Sequence, residues 1–517
     1  MTWQKEVDEI KHRKKLAEKM GGPEGIEKQR KRGKLTIRER VNLFADKGSL
    51  QEFNALTGTG TYEDDELVGF VPKAAVQGMC KLNGRKVIFH GGDFTVRAEH
   101  GALMSGLGSE LHPRIKAREW RIPYIRLLDA VGGSVKSFED IGRTYLPDGN
   151  IWGTIDVELL TMVPVVSAVL GAVAGLPAVE ACFAHFNVMV KGISQLFPGG
   201  PPVVKAALGQ DITKEELGGE QVHVYKSGVI DNLAETEEDA FRMIRQFLSY
   251  LPDNVWEMAP RSEPTDTPDR RDEELLSLIP RARSEPYDPY VVLNGALDQG
   301  SFFEISPFYG RARITGLGRV NGYPVGVMAN NINHLGGSTD VAAGNKVIRL
   351  LQLCETFHLP IVSFVDEPGF MVGLDSELQG IERAGARLVA TVCRSQIPWV
   401  SFIMRQVYGV AGQCSHRPTG MFRRYAWPSG RWGSMHISGG ASAAYRRVID
   451  TAENPEEKRK EIEKMLKGLN SPFKTAEAAG TDMIDPRDTR FLLCEFVEEA
   501  QKILKTQLGQ TAAPYLP

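Results

Sequence analysis

The sequence has few cysteines, and none of them lies in a paired spacing. The six cysteines among 517 residues are scattered, with no Cys-x-x-Cys pair. This distribution excludes a disulfide framework and predicts a reducing, cytoplasmic compartment. Cys414 and His416 could form a metal site or a thiol–imidazole pair, but two such residues without further Cys or His support make a weak case. We therefore expect no metal.

Excess charge and long apolar runs are also lacking. The net charge of -3 argues against a nucleic-acid or anionic-membrane partner. The first residues lack the apolar core of a secretory signal and predict a charged helix. One uncharged stretch, residues 159–179, is long enough to span a bilayer. Pro164, Pro177 and its β-branched residues instead favour a buried strand, a glycine turn and a helix.

The chain has enough residues for two cores, and several landmarks recur along it. A helix-like segment, a proline and an apolar strand lead to Asp129 in the first half and, in the same order and spacing, to Asp366 in the second. The tripeptides at 173–175 and 410–412, both Val-Ala-Gly, are separated by the same interval as the two aspartates. The pattern predicts a duplication in which each half alternates helices, strands and glycine loops.

A polar, proline-rich segment at residues 259–289 separates the two halves. Such a composition is typical of a linker. We expect an N-terminal domain over residues 1–260, a linker over 261–290 and a C-terminal domain over 291–517.

The glycine loops between buried strands and helices can serve chemistry. Glycine lets the backbone approach a ligand closely, and two successive backbone N–H groups there can hold an oxyanion. The alternative is that these glycines only permit tight turns. Asp129 and Asp366 are predicted to cap the turns rather than to act as bases. His90, His100 and His185 are expected to be structural.

Several short motifs are spread along the chain from about residue 5 to residue 505. They are KLTIRER (34–40), DKGS (46–49), DFTV (93–96), LD with GG (128–129 and 132–133), GGPPVVK (199–205), ELGG (216–219), VDEPGF (365–370) and DPRDTR (485–490). Together they resemble the β (carboxyltransferase) subunits of biotin-dependent acyl-CoA carboxylases. Some motifs resemble the methylcrotonoyl-CoA branch and others the propionyl-CoA branch, which leaves the subfamily open.

The resemblance implies an α/β fold of two crotonase-like domains, each a ββα superhelix, related by internal duplication. It implies that the thioester lies against the first domain and biotin against the second domain of a partner subunit. Oligomers are therefore expected: dimers that share active sites, assembled into a hexamer. The biotin ureido nitrogen takes the α-proton and the thioester enolate attacks CO2, so no side-chain base is needed.

The resemblance also implies site residues. The oxyanion hole for the thioester falls at Gly175 and Leu176. The hole for the biotin ureido oxygen falls at Val410 and Ala411, with Gly412 as the alternative in another register.

Further residues are implied to contact the thioester or biotin. In the first half these are Gly132 and Gly133, which follow the Asp129 strand end. In the second half they are Gly369, Phe370 and Gln413.

The chain departs from the family pattern at these sites. Pro177 stands where the family has a residue with an N–H, and proline has none to donate. Glu367 replaces an apolar residue, and residues 412–424 have little similarity to the family. These changes predict an atypical acyl acceptor, and they leave open a loss of activity.

The sequence contains neither an ATP-binding signature nor a biotinylation motif. We therefore expect a partner biotin carboxylase and biotin carrier, which use ATP and bicarbonate, while this chain handles biotin and acyl-CoA. The alternatives are a decarboxylase or transcarboxylase subunit, a catalytically impaired scaffold, and a crotonase-type hydratase or hydrolase with Glu180 as its acid–base.

Overall fold

The computed structural model describes residues 2–96, 112–132, 138–139, 142–144, 149–282, 284–417, 419–467, 471–478, 480–512 and 515–517. The chain divides into two compact units. The first unit extends to Glu257 and includes Tyr515–Pro517; the second is Met258–Pro514. The segment expected to be a linker lies at the start of the second unit, and the predicted domain boundaries stay a prediction.

The first unit is built on a mixed sheet. Its strands are β1 (Gln51–Glu52), β2 (Gly58–Glu63), β3 (Glu66–Pro72), β4 (Ala75–Leu82), β5 (Arg85–Gly92), β6 (Tyr124–Leu128), β7 (Val165–Val169), β8 (Ala172–Ala174), β9 (Phe186–Val190), β10 (Gln195–Phe197) and β11 (Asn232–Ala234). The main sheet has the order β1-β4-β5-β6-β7-β9-β11. It is antiparallel from β1 to β5 and parallel from β5 to β11. Strands β2 and β3 form a hairpin, and β8 pairs with β10.

Helices surround this sheet and account for the apolar composition of its inner strands. Strands β6, β7 and β9 are buried along their whole length, as expected for parallel strands covered on both faces. The helices are α1 (Gln4–Glu18), α2 (Gly22–Lys31), α3 (Ile37–Phe44), α4 (Pro113–Trp120), α5 (Gly149–Leu160), α6 (Leu176–Cys182), α7 (Pro201–Leu208), α8 (Lys214–Gly218), α9 (Glu220–His223) and α10 (Glu237–Ser249).

The second unit repeats this sheet. Its strands are β12 (Phe303–Glu304), β13 (Arg313–Val320), β14 (Tyr323–Asn330), β15 (Ile361–Glu367), β16 (Trp399–Tyr408), β17 (Phe422–Ala426), β18 (Arg431–Gly433) and β19 (Asp482–Met483). The order is β12-β13-β14-β15-β16-β17-β19, with β18 paired to β16. It is antiparallel from β12 to β14 and parallel from there on.

The helices of the second unit also cover its sheet. They are α11 (Glu274–Ser277), α12 (Pro289–Ala296), α13 (Val341–Phe357), α14 (Leu374–Leu378), α15 (Ile381–Arg394), α16 (Gly409–Gln413), α17 (Ile437–Ala444), α18 (Arg446–Asp450), α19 (Pro455–Lys467), α20 (Pro472–Ala476) and α21 (Thr489–Gln507), with short 3-10 helices at Leu335–Gly337 and Pro486–Asp488.

The predicted duplication is confirmed, but one of its landmarks is wrong. Strand β6 begins at Tyr124, which pairs with Val165, whereas β15 begins at Ile361, which pairs with Trp399. The sequence separation between β6 and its counterpart β15 is therefore three residues longer than the separation between β7 and its counterpart β16. As a result, the two Val-Ala-Gly tripeptides lie three residues out of register. Residues 173–174 belong to a strand, and residues 410–412 belong to a helix.

The uncharged stretch at residues 159–179 folds as the sequence predicts. It contains β7, the turn at Gly171, β8 and the start of α6. No helix in the described ranges has both the length and the apolarity needed to cross a membrane.

Candidate active site

Loop 1, residues 175–177, follows β8 directly: Gly175 precedes α6, and Leu176 and Pro177 begin that helix. Gly175 has a φ of 71°, a conformation that glycine adopts without strain. Its N–H donates to the carbonyl oxygen of Phe197 at 3.1 Å. Pro177 carries no N–H, so this loop is left with the N–H of Leu176 to offer a ligand, and no described residue accepts a hydrogen bond from it.

Gly132 lies directly beside loop 1. Its N–H donates to the carbonyl oxygen of Ala174 at 2.7 Å. A Cβ atom added to Gly132 would stand 3.1 Å from the Leu176 nitrogen. The absence of a side chain at 132 therefore leaves room beside the Leu176 nitrogen. The structure brings together three predicted site residues, Gly132, Gly175 and Leu176, while Gly133 lies outside the described residues.

Loop 2, residues 409–411, follows β16 directly and forms the first turn of α16. Gly409 has a φ of 63°, like Gly175, and no side chain caps the helix start. The first N–H groups of a helix have no partner within it, so Val410 and Ala411 both present backbone donors here. Val410 is 51% exposed. Gln413, predicted to contact the bound ligand, ends α16 with its side chain exposed.

Gly412 lies further along α16 and has a packing role. A Cβ atom added there would be 2.8 Å from Cγ1 of Val407 on β16. The missing side chain lets α16 pack closely against its preceding strand. The sheet register makes Leu176 and Pro177 the counterparts of Val410 and Ala411, since Val165 at the start of β7 corresponds to Trp399 at the start of β16.

Gly369 and Phe370 follow β15, the strand next to β16. Glu367 at the end of β15 is paired with Val407 near the end of β16. Carboxyl ends of parallel neighbours lie at the same sheet edge, so this segment and loop 2 share one edge. The φ of Gly369 is 140°, and a Cβ atom added there would meet nothing within 4 Å. The ring of Phe370 packs on α15 beside Gly385.

Asp129 does not cap a turn, contrary to the sequence prediction. Its side chain is buried and accepts hydrogen bonds from Lys34 Nζ at 2.8 Å, Arg40 Nη1 at 3.0 Å and Gln29 Nε2 at 2.8 Å. Burial lowers the pKa of Lys34. Asp129 is held by three side chains because a buried carboxylate needs cationic and hydrogen-bonding partners, and a turn alone supplies too few.

Asp366, at the equivalent strand end, is not a turn cap either. It is buried and accepts hydrogen bonds from Tyr287 Oη at 3.0 Å, Arg405 Nε at 2.9 Å and the backbone N–H of Gln406 at 3.2 Å. Burial raises the pKa of Asp366, and it raises the pKa of Tyr287 well above its usual value. The carboxylate ties β15 to β16 behind loop 2.

Several sequence alternatives lose their support in the structure. Glu180, the candidate acid–base of a hydratase, is buried and ion-paired with Arg114 at 2.9 Å. Burial raises the pKa of Cys414 to about 12 and lowers the pKa of His416 to about 4, so at neutral pH the pair is a thiol and a neutral imidazole rather than an ion pair. His185 is structural, as predicted: its ring bonds backbone groups on both sides. His100 lies outside the described residues.

Sequence reasoning missed a buried polar cluster beneath the second site. Glu367 departs from the family pattern, and the sequence does not indicate its partners. They are the buried Arg313, Asn330 and Thr339, and Arg313 in turn bonds the buried Ser415. The available signal was a carboxylate ending the apolar strand Ile361–Glu367, which requires a buried cation.

Comparisons with known proteins match the sequence of this chain to one family. Residues 28–507 match the family model described as the carboxyl transferase domain. The chain is 34% identical over 500 residues to the carboxyltransferase subunit of propionyl-CoA carboxylase from Haloferax mediterranei, with 95% of each chain covered. It is 32% identical over 508 residues to the α subunit of methylmalonyl-CoA decarboxylase from Veillonella parvula, again with 95% of each covered.

A solved structure shows the same fold. The crystal structure of transcarboxylase 12S, described as a hexamer with methylmalonyl-coenzyme A and methylmalonic acid bound, superposes with a TM-score of 0.87 at 28% identity. The match covers 99% of this chain and 97% of that one. The predicted fold of two crotonase-like domains is confirmed.

Proposed function

Because this chain belongs to the carboxyltransferase (β subunit) family of biotin-dependent acyl-CoA carboxylases, we propose that it transfers a carboxyl group between biotin and the α-carbon of an acyl-CoA thioester. The observation that carries this proposal is the match of residues 28–507 to the family, which spans both halves of the duplication. In this proposal the thioester and biotin each have a site, one in each half of the duplication, and the two sites are built from equivalent segments.

The thioester belongs, in this proposal, to the first unit. Leu176, with Gly175 beside it, donates a backbone N–H to the thioester oxygen as the enolate forms, and Gly132 leaves the space that this oxygen occupies. A donor preorganised for an oxyanion contributes roughly 2.7–4 kcal/mol to lowering a barrier. The segment 132–133 is proposed to line the same pocket.

Biotin, a substrate delivered on a partner protein, belongs to the second unit. Its ureido oxygen accepts hydrogen bonds, which suits the adjacent N–H groups of Val410 and Ala411. Gly369, Phe370 and Gln413 are proposed to contact the biotin rings and side chain. Biotin brings the carboxyl group and, through its ureido nitrogen, the acceptor of the α-proton. The chain's residues supply backbone donors, orientation and exclusion of water.

The state of the charged side chains supports a reaction that uses no protein base. Asp129, Asp366 and Glu180 are each buried against a cation. These carboxylates are buried, and cationic or hydrogen-bonding partners occupy their oxygens. Although burial raises the pKa of Asp366, none of the three is presented to a bound thioester as a proton acceptor.

Pro177 bears on the choice of acyl acceptor. Loop 1 has one donor where loop 2 has two, so the enolate is stabilised less than at a site with two donors. We propose an atypical acyl acceptor, whose enolate forms more readily than that of propionyl-CoA. The similarity to a methylmalonyl-CoA decarboxylase subunit favours a second candidate, the reverse transfer from an already carboxylated thioester. A catalytically impaired scaffold is the remaining alternative.

The proposal includes partners and assembly. A biotin carboxylase and a biotin carrier would supply carboxylated biotin from ATP and bicarbonate. Copies of this chain would assemble as active-site-sharing dimers within a hexamer, in which the first unit of one subunit faces the second unit of another. We place the assembly in the cytoplasm, and we retain residues 1–260, 261–290 and 291–517 as N-terminal domain, linker and C-terminal domain.

The test is fixation of labelled bicarbonate by the chain together with its biotin carboxylase and carrier, with ATP, over short, branched, unsaturated and aromatic acyl-CoAs. Label on one thioester class supports the proposal and names the acceptor. Label on none, together with thioester binding but no exchange of the thioester α-proton, favours the scaffold.

A further inference from the structure

We propose that the buried pair Arg313 and Glu367 is a positioning device that sets the Gly369 segment against loop 2, so that the second unit holds biotin in the geometry for transfer. The inference rests on the proposed function. It concerns two side chains that touch no reactant and act through the backbone of the segments that do.

Glu367 holds the Gly369 segment from beneath. Its Oε1 accepts the N–H of Gly369 at 3.1 Å. Its Oε2 accepts hydrogen bonds from the Thr339 hydroxyl at 2.6 Å and from Asn330 Nδ2 at 2.9 Å. The N–H of Thr339 in turn donates to the carbonyl oxygen of Gly369 at 3.1 Å. Both polar groups of Gly369 are thus fixed, at a residue with no side chain of its own to hold it.

Arg313 connects this arrangement to the residues just after α16, the helix that begins with loop 2. Its Nη2 donates to the Glu367 carboxylate and, at 3.0 Å, to Oγ of Ser415. Ser415 follows α16 closely, and its N–H donates to the carbonyl oxygen of Gly412 at 3.1 Å. One guanidinium therefore joins the support of Gly369 to the helix that presents Val410 and Ala411.

The first unit shows that the fold does not require this cluster. Strands β4 and β5 pair Ala75 with Gly92 at the position where β13 and β14 pair Arg313 with Asn330. Ala130 follows Asp129 directly, as Glu367 follows Asp366, so Ala130 is the counterpart of Glu367. A Cβ atom added to Gly92 would be 3.6 Å from that of Ala130, so the counterparts also meet.

Small residues thus occupy in one unit the positions that carry a buried ion pair in the other. Removing two charges from water costs several kcal/mol per ion, and an apolar pair of similar volume is often as stable or more so. Stability alone gives no reason for this cluster in the second unit. Its specific effect is to fix the distance between two segments that we assign to one reactant.

The test replaces the pair with apolar residues of similar length, Arg313→Met with Glu367→Met, so that no unpaired charge stays in the interior. The assay is transfer of the carboxyl group to free biotin, by the chain alone, from the carboxylated form of the acyl-CoA that the bicarbonate assay identifies. We expect the KM for biotin to rise about tenfold, the effect of one lost hydrogen bond of ordinary net strength, with the KM for the carboxylated thioester unchanged. Hydrogen exchange of the peptide 366–373 should accelerate, since it loses its anchor.

The matched control is Arg490→Met, which removes one partner of a buried pair elsewhere in the second unit, 2.9 Å from Asp298. It should lower the unfolding midpoint without changing the KM for biotin. An unchanged KM for biotin in the double variant, or unchanged exchange in 366–373, overturns the inference. A wild-type chain that transfers carboxyl to no acceptor, alone or with its partners, overturns the proposed function and the inference with it, while the exchange result still reports whether the pair holds the segment.

Discussion

The two units share one sheet order but differ in how they finish the edge where we place the chemistry. In the first unit, Gly132 packs against loop 1, where Pro177 lacks an N–H and Leu176 offers the donor. In the second, Gly369 faces open space and loop 2 presents the N–H groups of Val410 and Ala411. We propose that the duplicated fold has thus been adapted into a tight site with one donor and an open site with two.

The carboxylates at the strand ends of the two units differ in the cations that pair with them. Asp129 and Asp366 occupy equivalent positions and both are buried. Asp129 is held by Lys34 and Arg40, which come from the KLTIRER motif at the start of the chain, whereas Asp366 is held by Arg405 from the neighbouring strand. Both units thus keep a buried carboxylate at this position, but the cations that pair with it come from different parts of each unit.

The largest effect should come from Asp129→Ala. The change leaves Lys34 buried without an acidic partner and removes one of the two carboxylates that hold Arg40, the other being Glu237. It should lower the free energy of unfolding by roughly 3–5 kcal/mol. Asp366→Ala should cost less, because Arg405 is less buried than Lys34 and keeps a hydrogen bond to the carbonyl oxygen of Glu285. Urea unfolding measures both, with Lys191→Ala, which breaks an exposed pair, as the control. Equal losses for the two aspartates would contradict the comparison.

Ala411→Pro makes loop 2 resemble loop 1 by removing one donor. Proline is tolerated in the first turn of a helix, so the fold should persist. The rate of transfer should fall by about 10²–10³-fold, the usual effect of losing an oxyanion donor. Steady-state kinetics measure the change, and Ala411→Ser, which keeps the N–H, is the control. A rate near that of wild type would show that the N–H of residue 411 has no role.

Gly132→Ala tests the space in front of Leu176. The added Cβ atom would stand 3.1 Å from the Leu176 nitrogen and obstruct the approach of an oxygen. The kcat/KM for the thioester should fall about tenfold, from the weakening of one charge-assisted hydrogen bond. Gly433→Ala, where a Cβ atom meets nothing within 4 Å, is the control and should be silent. A silent Gly132→Ala would remove Gly132 from the site.

Pro177→Ala has the smallest expected effect and the opposite sign. It restores an N–H next to that of Leu176, so loop 1 gains the second donor that loop 2 already has. We expect kcat for propionyl-CoA carboxylation to rise several-fold, about 1 kcal/mol, the net value of one hydrogen bond. Coupled assays with the biotin carboxylase and carrier measure it. A decrease would indicate that the proline ring itself shapes the acyl pocket.

Local patterns predicted the strands and the duplication correctly. The apolar runs before Asp129 and Asp366 form buried parallel strands. A short, continuously apolar run between turn residues is typical of a strand that is covered on both faces. The two Val-Ala-Gly tripeptides have the same sequence but are not structurally equivalent, and this caused the error in register. The connection from β6 to β7 is three residues longer than that from β15 to β16, and sequence spacing alone does not show where the extra residues lie.

Long-range ion pairs could not be predicted from the sequence. Asp129 lies 95 residues from Lys34 and 89 from Arg40, and nothing local distinguishes such a carboxylate from a turn cap. The cluster of Arg313 and Glu367 was hidden for the same reason. Its members come from separate strands, which only the sheet order brings together.

The central claim is that the first unit takes the thioester and the second takes biotin. The most direct measurement is transfer of label to free biotin by the purified chain from the carboxyl-labelled form of the acyl-CoA that the bicarbonate assay identifies. Wild type is compared with Gly132→Ala and Ala411→Pro at varied concentrations of each substrate. The account predicts that Gly132→Ala affects kinetics in the carboxylated thioester and Ala411→Pro affects kinetics in biotin. Both variants acting through the same substrate, or label that never reaches biotin in the wild type, would contradict it.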